Sequence, residues 1–197
     1  MSTRGAIGFH IDGEEDKITM SYHSAFPKFL GKRILNECKT FIFLPEKVKA
    51  IKLVNNVDAK PTSEDIALAQ KYNLPNTTID INADIQQWYY LLYNAMNKLS
   101  LYYIIGLMPD NRQFLNNSLF CEWAYIVNLT TNKLEVYRGF RTKSRGRGRY
   151  CAAVRRPKDW KPTHKGQRFY YPVALKNEYD LYNLPDEETF INENVDD

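Results

Sequence analysis

The sequence predicts an α+β fold: a mostly antiparallel sheet with an N-terminal hairpin, central helices and a second hairpin in the C-terminal half. Short runs rich in apolar, aromatic and β-branched residues stand towards both ends of the chain. Between them lie segments whose apolar residues recur at helical spacing. Strands at both ends with helices between them define the class.

Residues 4–11 (RGAIGFHI) put Ile7, Phe9 and Ile11 on one parity and Ala6 and Gly8 on the other, the pattern of a strand with one apolar face. DGEED is a polar turn, and KITMSYH returns as the second strand of a hairpin. In FPKFLGKRILNEC, Phe26, Leu30, Ile34 and Cys38 are four apart and form one helical stripe, weakened by Gly31. After FIFL, Pro45 suits the first position of a helix through Val48 and Ile51, because its missing N–H has no helical partner there. PTSEDIALAQKY starts another helix, with Thr62 or Ser63 as the cap and Glu64 and Asp65 at its positive end. ADIQQWYYLLYNAMNKL is apolar nearly all round, as a central helix covered on more than one side would be. CEWAYIVNL and LEVYRGF, joined by TTNK, are the best hairpin in the chain. RFYYPVAL is extended but confined by Pro172 to an edge or a bulge, and EYDLYNLP follows it. The division expected is a single α+β domain over 1–185 and a flexible acidic tail over 186–197.

At 197 residues the chain suits one domain able to bury a real core. No run approaches eighteen apolar residues and the N-terminus lacks an apolar signal core, so the expectation is a cytoplasmic protein with no membrane partner. Cys38, Cys121 and Cys151 are far apart and, with His10, His23 and His164, supply no metal-ligand spacing; no metal and no cofactor are expected.

Charge is segregated along the chain. The net value is +4, yet residues 138–168 hold twelve Lys/Arg against the single acid Asp159, whereas residues 178–197 hold eight acids and no base. Within RTKSRGRGRY, an extended backbone would place Arg145, Arg147 and Arg149 on one face at about 6.6–6.8 Å, roughly a phosphate repeat. A folded loop with the same alternation could wrap an anion, since guanidinium groups grip phosphate through paired N–H donors. Aromatic residues interleaved with the bases, Tyr150 and Trp160 among them, could stack on a base.

Two catalytic arrangements can be weighed. Removal of Met1 would leave Ser2 with a free α-amine able to accept a hydroxyl proton, the construction of an N-terminal nucleophile amidohydrolase. His10 and His23, on the two strands of the first hairpin, could serve acid/base chemistry, but nothing in the spacing fixes a nucleophile beside them. No residue is therefore assigned a catalytic role, and a non-enzymatic protein is the leading expectation.

Three stretches, Thr3-Arg4-Gly5-Ala6-Ile7-Gly8-Phe9, Tyr22-His23-Ser24-Ala25-Phe26-Pro27 with Gly31, and Glu122-Trp123-Ala124-Tyr125 leading to Leu134-Glu135-Val136-Tyr137, carry a resemblance. Together they resemble an uncharacterised phage and bacterial protein family that opens Met-x-Thr-Arg-Gly/Ser and carries a Tyr-His-x-x-aromatic-Pro motif. Family members tend to have an acidic residue and an aromatic where this chain has Ser24 and Phe26, so no carboxylate role transfers there. The resemblance brings no established activity. It does imply a phage setting, in which accessory proteins that sequester nucleotide immune signals, or bind host nucleic acid, are expected.

The function expected is thus a phage counter-defence protein, resident in the host cytoplasm, that sequesters an anionic phosphorylated ligand of nucleotide type. Arg4, His23, Arg141, Arg145, Arg147 and Arg149 would supply charge and polar contacts, with Tyr150 and Trp160 as stacking faces. A DNA- or RNA-binding host-takeover protein is the alternative, the Ser2 amidohydrolase is a third, and a homo-oligomer is compatible with each.

Overall fold

A computed structural model describes residues 3–22, 24–55, 60–72, 88–152 and 154–195. Strands β1 (Gly5–His10) and β2 (Lys17–Ser21) form the expected N-terminal hairpin, with Ile7 opposite Thr19. A π-helical turn (Pro27–Gly31) runs directly into α1 (Lys32–Thr40). Leu30 and Ile34 of the predicted stripe are buried and Cys38 is partly so, but Phe26 precedes the turn and is exposed. Gly31 is required in this stretch, because a Cβ there would lie 2.8 Å from the ring of Tyr125.

Pro45 opens α2 (Pro45–Lys49), which leads into β3 (Lys52–Val54). The next helix, α3 (Ser63–Tyr72), starts on a reciprocal cap: Thr62 Oγ1 accepts the Asp65 N–H at 3.2 Å and Asp65 Oδ2 accepts the Thr62 N–H at 3.1 Å. The long helix expected over 83–99 is not continuous. Its first residues, 83–87, lie outside the described ones; then come α4 (Trp88–Leu91), a 3₁₀ turn (Tyr93–Ala95) and, after a break, α5 (Leu99–Ile105). Asn97 has φ 65° and Lys98 is extended, which ends one helical run before the next begins. Trp88, Leu92, Ala95 and Leu99 from these short pieces all reach the larger core. Strand β4 (Leu107–Pro109) pairs in parallel with β3 to make a small second sheet.

The C-terminal-half hairpin is β5 (Trp123–Asn128) and β6 (Lys133–Arg138), with Asn132 at φ 53° in its turn. Strand β7 (Ala174–Asp180) begins beyond Pro172 and pairs with β6 at the sheet edge, so only the end of RFYYPVAL is strand. The main sheet has the order β2-β1-β5-β6-β7. Its β1–β5 pair is parallel and the other three are antiparallel, the parallel pair being reached by the long crossover through the central helices.

The acidic stretch expected to be flexible from 186 folds over most of its length into α6 (Glu187–Asn194). Asp186 caps it by accepting the Thr189 N–H at 2.8 Å, and Glu187 and Glu188 stand at its positive end. Phe190 is fully buried against Tyr125 and Tyr179, and the side chain of Asn194 donates to the Tyr179 hydroxyl at 2.8 Å. One apolar anchor outweighs the repulsion that composition alone suggests.

The two faces of the main sheet differ. Ile7, Phe9, Trp123, Tyr125, Val127, Leu134 and Val136 point to the helices and form the larger core. Ala6, Ala124 and Ile126 point the other way, with Tyr137, into a smaller one. Glu135 stands opposite Ile126 in the register, so the second face carries a carboxylate in its middle.

Candidate functional site

The second face has small residues at Ala6, Gly8 and Ala124 and a polar row at His10, Asn128 and Glu135. The basic segment between β6 and β7 covers it. Glu135 is 5% exposed and its carboxylate is fully engaged. Arg149 grips it with both terminal nitrogens, at 2.5 Å to Oε2 and 2.7 Å to Oε1. Asn128 donates to Oε1 and the Tyr137 hydroxyl to Oε2, each at 2.8 Å. This bidentate pair is the strongest form of carboxylate recognition by arginine, and here it fastens the loop to the sheet.

Tyr150 continues the anchor. Its ring packs 5.0 Å from that of Tyr137, and its hydroxyl donates to Asp16 Oδ2 at 2.7 Å. Asp16 Oδ1 meets His10 Nδ1 at 2.6 Å, and Asp12 Oδ1 meets His10 Nε2 at 2.8 Å, so the imidazole lies between two carboxylates. Burial by itself lowers the His10 pKa, but the hydrogen bonds from Asp16 and Asp12 outweigh it and hold the value above the ordinary 6.5. For Asp16 burial works upward, and the bonds from His10 and Tyr150 outweigh it, leaving the value below the ordinary 3.8.

The linkage signs follow from these directions. His10 contributes stability that is fully present below pH 6.5 and is lost as pH rises through its raised folded value. Asp16 contributes stability present above pH 3.8 and lost as pH falls through its depressed folded value. An NMR titration of the His10 ring is expected to give a midpoint above 6.5, and Asp16→Asn is expected to lower it. A wild-type midpoint at or below 6.5 would contradict the clamp.

The predicted site residues divide by what they touch. Arg141 organises its own loop, donating to the carbonyls of Pro172 and Arg145 at 2.7 Å each. Arg147 donates to the Leu175 carbonyl at 3.3 Å and also to that of Lys176. Arg145 is exposed. None of the described residues between Arg138 and Ala174 is in a strand, so Arg145, Arg147 and Arg149 are not set along a strand at phosphate spacing. Carbonyl oxygens and Glu135 turn two of the three side chains back onto the protein. Arg4 is exposed, with its guanidinium 5.0 Å over the Phe120 ring. Trp160 packs edge-on against Phe169 at 5.7 Å, Phe169 packs against Tyr171 at 5.0 Å, and Arg156 lies 5.9 Å over the Trp160 ring. His23 and Ser2 lie outside the described residues.

On its outer side the segment forms a cleft of about 400 Å³ lined by Arg155, Arg156, Tyr171, Ser144, Cys151 and Val154. Lys158, Lys161, Lys165 and Arg168 are exposed beyond it. The adjacent Arg155-Arg156 pair is a site element that sequence reasoning counted as charge without singling it out. Its signal was present: two consecutive arginines beside a proline, in a stretch with no apolar period to bury them. Among the described residues no group of three or more His, Cys, Asp or Glu could hold a metal ion, and no helix is long and apolar enough to cross a membrane. Burial pushes the Cys38 and Cys121 thiols well above their ordinary range, which keeps both protonated.

Fold and site together define a mixed-sheet α+β protein whose second face is roofed by an arginine-anchored basic segment. No protein-family model matches the chain, and no curated protein or solved structure matches it significantly. The three stretches that carry the resemblance meet in space at one end of β1 and β5. Ala25 donates its N–H to the Thr3 carbonyl at 3.2 Å, Glu122 donates to the Arg4 carbonyl at 3.0 Å, and the Tyr125 hydroxyl donates to the Ala25 carbonyl at 2.9 Å. Gly5 admits this approach, since a Cβ there would lie 2.5 Å from the Trp123 carbonyl oxygen. These residues build the sheet end.

Proposed function

We propose that the protein binds an anionic phosphorylated ligand of nucleotide type at the outer side of the basic segment and holds it without chemistry. The observation that carries this reading is the cleft in which Arg155 and Arg156 stand with the ring of Tyr171. Paired guanidinium groups suit phosphate oxygens, and a ring at the same cleft suits a base. Arg141, Arg147 and Arg149 support the ligand site indirectly, by fastening the segment that presents it. Both ring nitrogens of His10 are occupied by carboxylates, which supports binding over acid/base work at that residue. The resemblance to the phage family supports a counter-defence setting, with a nucleotide immune signal in the host cytoplasm as the ligand.

Nucleic-acid binding is the second reading, favoured by the exposed Lys158, Lys161, Lys165 and Arg168 beyond the cleft. Calorimetric titration with ATP and with a single-stranded oligonucleotide separates the two. For capture, ATP binds and Arg155→Gln/Arg156→Gln weakens it about tenfold or more, as loss of charged hydrogen bonds demands. An ATP affinity unchanged in that variant would end the proposal. Affinity for the oligonucleotide alone, falling steeply with salt, would establish the second reading in its place.

A further inference from the structure

The geometry points to a second ligand site, on the helical side of the sheet, that takes a small phosphomonoester carrying an apolar ring. It is the cleft of about 680 Å³ between the π-helical turn with α1 and the Asn97 loop. It does not rest on the reading of the basic segment, and no residue is shared between the two clefts.

Charge selects the ligand's head. Lys28, Lys32 and Arg33 line the cleft, and Glu37 is the acid among them. Lys32 is neutralised from outside, by Glu187 of α6 at 2.5 Å, and the same carboxylate accepts from Asn36 at 2.7 Å. Lys28 and Arg33 are both exposed; Lys28 lies 5.1 Å over the Phe29 ring, and Arg33 acts on Glu37 through space, as does Lys98. One oxygen of Glu37 already accepts the Ser100 N–H at 2.6 Å at the start of α5, and burial disfavours the charged form of this carboxyl. Two cations of the cleft, Lys28 and Arg33, are therefore without an ion-pair partner among the described residues. A monocarboxylate answers one cation, whereas a phosphomonoester dianion answers both.

The rim and floor select the rest. Ser24 at φ 53° and Asn97 at φ 65° both line the cleft, in a backbone region that residues other than glycine occupy where their surroundings hold them, and such positions cluster at ligand clamps. The carbonyl oxygen of Asn97 is taken by the Ser21 hydroxyl, which leaves its amide N–H groups as the donors it can offer. The π-helical turn, a rare form that is frequent at functional sites, presents Lys28 and Phe29. Phe29 is 52% exposed and Leu30 lies beside it in the lining, so the cleft offers an apolar wall next to its cations. Its volume lies within the range of small-molecule sites, roughly 300–1,000 Å³.

Phenyl phosphate is the probe, with phenol and inorganic phosphate as the two halves of its chemistry, titrated calorimetrically into the full chain. Wild type is expected to bind phenyl phosphate more tightly than either half. Lys28→Gln/Arg33→Gln is expected to weaken it at least tenfold, and Phe29→Ala to weaken phenyl phosphate but not inorganic phosphate. Each titration is repeated in the Arg155→Gln/Arg156→Gln background, which removes the cations of the other cleft, so that the phenyl phosphate binding left there belongs to this cleft. Because these side chains are exposed, matching thermal melts verify that each variant folds. Absence of wild-type binding, or absence of any binding in the Arg155→Gln/Arg156→Gln background, would each overturn the second site, and the latter would leave the basic-segment proposal standing.

Discussion

Replacing Arg149 with alanine is expected to destabilise the protein by about 3 kcal/mol or more, the cost of leaving a buried charge without its partner. Glu135 is nearly inaccessible, and Asn128 and Tyr137 would then be its remaining hydrogen-bond partners. Chemical denaturation followed by circular dichroism measures the loss. Arg149→Lys is expected to recover only part of it, because an ammonium cannot reproduce two parallel N–H bonds to one carboxylate. Exchanging both partners for leucine strands no charge but leaves the buried Asn128 amide and Tyr137 hydroxyl without their acceptor, so it is expected to recover only part of the loss. A loss under about 1 kcal/mol in Arg149→Ala, the range of surface ion pairs, would mean that the segment is not held by this bond.

The second large effect is expected at the C-terminal end. Phe190→Ala removes a fully buried ring that packs 5.2 Å from Tyr179 and 6.5 Å from Tyr125, and truncations of this kind cost about 3–5 kcal/mol. The same denaturation experiment reads it, and it is independent of the first because the two residues lie over opposite faces of the sheet. A flexible acidic tail would tolerate the change with no shift in midpoint. Loss of α6 would also remove Glu187 from Lys32 and Asn36, so the helical-side cleft would gain charge as the fold lost stability.

Much of the fold was legible because its signals are local. Alternation in GAIGFH and WAYIVN, the turn residues between Asn128 and Lys133, Pro45 at a helix start and the Thr62–Asp65 cap all act within a few residues, and each element is found where they place it. The exceptions have physical causes. The 83–99 stretch is apolar on every side, so its composition could not show where a continuous helix would give way to short pieces sharing one core. The acidic tail was judged by its charge, while a single phenylalanine decided its state.

The candidate site divides in the same way. Sequence by itself determined that twelve bases crowd into residues 138–168 and that aromatic rings lie among them. Only the tertiary structure decided which of those bases are turned back onto the protein. Glu135 attracts Arg149 across fourteen residues, Asp16 draws in Tyr150 from 134 residues away, and backbone carbonyls take up Arg141 and Arg147. The reason is that a guanidinium binds whichever oxygen is fixed and desolvated nearest to it. Strand register and loop path place those oxygens, through contacts that local periodicity does not encode.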